Sequence, residues 1–102
     1  MTTYNKLVRD KIPQIMISNG EIPNTRILNT GEFIFELRNK LTEEVKEYIN
    51  SGDIEELADI LEVCFALGKI NGVTQEELLE VMNNKRESRG GFEDKIFLIS
   101  KG

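Results

Sequence analysis

The chain has 102 residues with 18 acidic and 13 basic side chains, a formal net charge of −5 and 39% hydrophobic residues. This suits one domain, residues 1–102, with one modest core. The acidic balance excludes a general binder of polymeric nucleic acid, whose field would be positive, and no apolar run approaches the ~18 residues of a membrane helix.

In chain order, "VRDKIPQIMISNG" predicts a short first helix. Asp10 can cap it, Pro13 is tolerated in its first turn, and Asn19 with Gly20 stops it. "EIPNTRILNTG" predicts a loop with a possible short strand. A long second helix is expected from Asn29 or Thr30, because Asn29 with Glu32 forms a capping-box pattern. Phe33, Leu37, Leu41, Val45 and Tyr48 then recur every three or four residues as an apolar stripe. Asn50, Ser51 and Gly52 break that helix, and Asp53 can cap a third one running to about Ile70. The third helix is apolar on most sides, so it is either central or packed on a second subunit. Thr74 with Glu77 opens a fourth helix that ends at Gly90 and Gly91. The following "FEDKIFLIS" leans toward β structure and could pair with "TRIL". The expected fold is all-α, a four-helix bundle-like domain around a central antiparallel hairpin, with at most a minor β element.

Charge is unevenly distributed. Residues 32–62 hold ten acidic and three basic groups, while the flanking segments are neutral or basic. Within that block, Glu44 and Glu47 form one i, i+3 pair, and Glu56 and Asp59 form another, mirrored about the Ser51–Gly52–Asp53 turn. Residues three apart share a helix face, about 5–6 Å apart at Cβ. A hairpin folded there brings all four carboxylates to two matched levels. Glu44 and Glu56 then fall where a bundle wants apolar groups. Buried unpaired carboxylates are costly unless a cation compensates, and Lys40 and Lys46 are too few to neutralise four acids. An oxygen-only ligand set without His selects a hard divalent ion, Mg²⁺ or Mn²⁺, which commonly leaves positions for water and substrate phosphates. The competing reading is structural: Glu56 completes a capping box with Asp53, and acids in a first turn suit the helix dipole.

"EEVKE" (residues 43–47) followed by "EELAD" (residues 55–59) resembles the EExxE…ExxD signature of the MazG-type all-α nucleoside triphosphate pyrophosphohydrolases, a superfamily that includes phosphoribosyl-ATP pyrophosphohydrolases and dimeric dUTPases. "YNKLVRDKIP" and "KRESRGGFEDKI" resemble the two ends of a small single-domain branch of that group. The gap between Glu47 and Glu56 is short compared with many members, so part of the substrate pocket is expected to be built differently. The resemblance implies hydrolysis between the α- and β-phosphorus of a nucleotide substrate, with Mg²⁺ held by Glu44, Glu47, Glu56 and Asp59. Glu43, or a ligand carboxylate such as Glu44, would orient water or take its proton. It also implies a homo-oligomer, dimer or tetramer.

Two basic sets are candidates for substrate phosphates. Lys85, Arg86 and Arg89 precede Gly90; Lys85 and Arg89 share a helix face, yet cations at a helix C-terminus also suit its dipole. Asn5, Lys6 and Arg9 lie in the first segment, where Tyr4 could stack on a base or simply pack. Cys64 is the only cysteine and sits in the apolar "ILEVCFAL", so it reads as a small core residue. With no internal disulfide, and no apolar core of a signal peptide in "MTTYNKLVRDK", a reducing, cytoplasmic setting is expected. Two further functions remain open: phosphoribosyl-ATP pyrophosphohydrolase, and a non-catalytic helical module whose acids meet a basic partner.

Overall fold

Residues 2–102 are described by a computed structural model, and among them the chain forms four α-helices and no strand: α1 (Ile12–Ser18), α2 (Thr30–Ser51), α3 (Ile54–Ile70) and α4 (Gln75–Arg89). None is long and apolar enough to cross a membrane.

The helix ends follow the capping chemistry in two cases and depart from it in two. The Asn29 side chain accepts from the Glu32 N–H at 2.9 Å, and the Glu32 carboxylate accepts from the Asn29 N–H at 3.3 Å. Arg26 also grips Glu32 through both terminal guanidinium nitrogens, at 3.2 and 2.8 Å. Thr74 and Glu77 make the same reciprocal box at the start of α4. At α1 the cap position is Lys11, so Asp10 does not cap. Asp53 does occupy the cap position of α3, but its side chain makes no capping bond. Asn29→Ala is therefore expected to cost about 1 kcal/mol, whereas Asp53→Ala should cost less than about 0.5 kcal/mol. Urea-midpoint shifts of the two variants check this.

Only two residues connect α2 to α3. Gly52 adopts φ 70°, a left-handed conformation that a side chain would strain, and the Asp53 N–H donates to Ser51 Oγ at 3.1 Å. This tight turn folds α2 back on α3 as an antiparallel hairpin, and α4 packs on the far part of α3. The core lies along the hairpin seam. Leu37 and Val63 are its buried apolar residues, 4% and 8% exposed. Glu44, two turns along α2 from Leu37, shares that face and is only 5% exposed. The third helix is thus central, as its breadth of apolar character implied, yet Leu57 and Leu61 stay exposed within the chain.

The anticipated pairing of "TRIL" with the run after α4 does not form. Ile27 and Ile96 are both exposed, and the Arg26–Glu32 pair fixes the first of these segments to the start of α2 instead. Helix α1 packs on no other helix as an element; its Ile12 lines a cleft between the first segment and the hairpin.

Candidate metal centre and phosphate cleft

The mirrored acids meet at the turn end of the hairpin. Carboxylate oxygens of Glu44, Glu56 and Asp59 lie within 4.8 Å of one another. Helix α2 supplies Glu44 from its buried face, and α3 supplies Glu56 and Asp59 from the face that carries Val63 one turn further on. Glu47 is more exposed and bears on Glu56. The capping explanation of Glu56 fails here. Its N–H donates to the Asp53 backbone carbonyl at 3.1 Å, but its carboxylate points toward Glu44, not back to the cap.

Neighbouring cations compensate only in part. Lys40 stands 3.5 Å from Glu44 and 3.6 Å from Glu43, and Lys6 stands 3.8 Å from Glu43. Arg9 donates to Asp59 across 50 residues of sequence. Lys46 makes no ion pair among the described residues. Oε2 of Glu44 and Oε2 of Glu56 are buried with no hydrogen-bond partner among the described residues. Crowding against the Glu44 carboxylate, together with burial and the proximity of Glu47, pushes the Glu56 carboxyl up to about 7. A pair of orphaned oxygens in a crowded acid triad is what a bound hard cation would satisfy, so the donor set fits Mg²⁺ or Mn²⁺.

The triad borders a cleft of about 1270 Å³ whose wall includes Lys6, Arg9, Lys40, Glu44 and Asp59, with Phe33, Leu37 and Val73 as apolar lining. Of the two basic sets, the first segment therefore reaches the acids: Lys6 and Arg9 line the cleft. Asn5 is exposed with φ 46°, a left-handed conformation Asn tolerates. Tyr4 is exposed, with Lys6 Nζ 5.9 Å from its ring centre. Lys85, Arg86 and Arg89 do not line this cleft. Lys85 edges a separate groove, Arg86 donates to Glu93 at 2.7 Å, and Arg89 is exposed in the last turn of α4.

Two features escaped the sequence reading. The Arg9–Asp59 pair has no local periodicity to reveal it; the only trace is a basic first segment beside an acidic middle. Glu62 lines the cleft, although its helical position places it on the polar side of α3. No protein-family model, no curated protein and no solved structure matches this chain.

Proposed function

We propose that the protein is a divalent-metal-dependent nucleoside triphosphate pyrophosphohydrolase, cutting between the α- and β-phosphorus to release nucleoside monophosphate and pyrophosphate. The observation that carries this reading is the pair of unpartnered buried oxygens on Glu44 and Glu56, inside an acid triad that opens onto a cleft edged by cations. The resemblance of residues 43–47 and 55–59, which contain these same carboxylates, to the pyrophosphohydrolase signature also supports it. Clearance of non-standard nucleotides, a cytoplasmic setting and a homo-oligomeric state belong to the same proposal.

Glu44, Glu47, Glu56 and Asp59 would hold Mg²⁺ or Mn²⁺. Bound there, the ion supplies charge neutralisation at phosphate oxygens and a more acidic water. Lys6, Arg9 and Lys40 draw the triphosphate into the cleft, Arg9 offering a planar fork for phosphate oxygens. Arg9 then exchanges Asp59 for the substrate, freeing that carboxylate. Glu43, held between Lys6 and Lys40, orients the attacking water and accepts its proton. Phe33, Leu37 and Val73 keep bulk water off one wall.

A panel of nucleotides that includes phosphoribosyl-ATP, with pyrophosphate and orthophosphate measured separately, tests the reaction. Pyrophosphate should appear in equal amount to monophosphate, with no orthophosphate first. Stepwise orthophosphate release would mean an ordinary phosphatase, and no turnover of any nucleotide with Mg²⁺ or Mn²⁺ would remove the enzyme reading.

A further inference from the structure

Among the described residues, nothing covers the apolar side chains of the run after α4. Phe92, Ile96, Phe97, Leu98 and Ile99 are each between 77% and 97% exposed. Four of them are consecutive, an apolar stretch that water disfavours. The root of this run is held. Gly90 leaves α4 with φ 85°, and Arg86 ties Glu93 at 2.7 Å. With the run uncovered, the chain as a whole spans 59 × 32 × 24 Å with a radius of gyration of 17.8 Å. A compact chain of this length would have about 13 Å.

The chain also has an apolar groove of about 330 Å³ between α3 and α4, lined by Leu61, Cys64, Leu78, Val81 and Met82, with Lys85 at its edge. Leu61, Val81 and Met82 are about half exposed. The accessible surface, 9225 Å², exceeds the roughly 5900 Å² of a folded monomer of this mass by about 3300 Å². An ordinary complex hides only about 800 Å² per partner, so a surplus this large belongs with obligate, interwoven assemblies. The charges also fit. The run opens with Glu93 and Asp94, and neither Asp94 nor Lys85 has an ion-pair partner among the described residues.

We infer that a second copy of this chain covers the α3–α4 face, and that the copies exchange residues 94–99. Each copy lays the run in the other's groove against Leu61, Cys64 and Met82. The inference rests on the homo-oligomeric part of the proposal above and is independent of the metal and the reaction.

Cys64, the single cysteine, lies in the groove and reports on the exchange. Full-length Phe97→Cys, purified and treated with diamide, should give a disulfide-linked dimer on a non-reducing gel, absent when Cys64→Ala is combined with it. In light scattering the wild type should be oligomeric, and Phe97→Asp should weaken association about 100-fold with helix content unchanged by circular dichroism. A disulfide confined within single chains would overturn the exchange in favour of self-docking. An oligomer in which the Phe97→Cys variant forms no disulfide to Cys64 would overturn the arm while leaving assembly standing, and a wild-type monomer at about 100 µM, where an obligate assembly is saturated, would overturn both. None of these outcomes depends on nucleotide turnover.

Discussion

Glu44→Ala is expected to lower kcat/KM on the preferred nucleotide by about 100-fold or more, since even indirect supports of a metal commonly cost 10–100-fold. Glu80→Ala, on the exposed side of α4, should stay within about twofold. Glu62 is unsuitable as that control because it lines the cleft. Glu44 carries the effect because it is the buried carboxylate of the triad and has one oxygen without a partner. Glu44→Gln keeps the shape and removes a charge facing Glu56, while Lys40 retains Glu43 at 3.6 Å. The metal-free Gln variant should therefore melt no lower than wild type. Combining Glu44→Gln with Glu56→Gln should cost little more activity than the worse single change, because residues serving one site act as a unit. Losses that multiply independently, or an active Glu44→Ala enzyme, would reduce the triad to separate structural contacts.

The second large effect joins pH to metal. The Glu56 carboxyl lies at about 7 in the folded chain against an ordinary 4.5. Between those values the folded state binds more protons than the unfolded one, so stability falls as pH rises. Metal-free protein should melt higher at pH 5 than at pH 8. A divalent ion competes with that proton, so its stabilisation should be greater at pH 8. At a metal concentration about 100-fold above Kd the gain is about 2.7 kcal/mol, a rise in Tm of about 10 °C or more for a domain of this size. Glu56→Gln should flatten the acid-side slope and abolish the metal response without loss of helix. Thermal melts of both proteins with and without Mn²⁺ at the two pH values decide it. Equal responses in the two proteins, or none in either, would count against Glu56 as a ligand.

Local chemistry made most of the helices readable from the residues. Reciprocal capping pairs such as Asn29 with Glu32 and Thr74 with Glu77 act within four residues, as do the breaks at Gly52 and Gly90, so their signals survive without tertiary context. The mirrored acids were legible for the same reason. A two-residue turn between helices of known pitch leaves little freedom in which levels meet, and Glu44 does come together with Glu56 and Asp59.

Tertiary structure decided what sequence spacing leaves open. Asp53 sits at a cap position in either case, but the neighbouring acids, not the cap, settle where Glu56 points. Arg9 reaches Asp59 across 50 residues, and the first segment, rather than the last turn of α4, edges the cleft, because long-range approach depends on the path of a loop that carries no periodic signal. The β-leaning runs around Ile27 and Ile96 form no strand among the described residues, since strand propensity expresses itself only where a partner edge is available. Sequence by itself determined the helices and the acids they align; only the packing of the hairpin left Glu44 and Glu56 each with a buried oxygen unpartnered among the described residues.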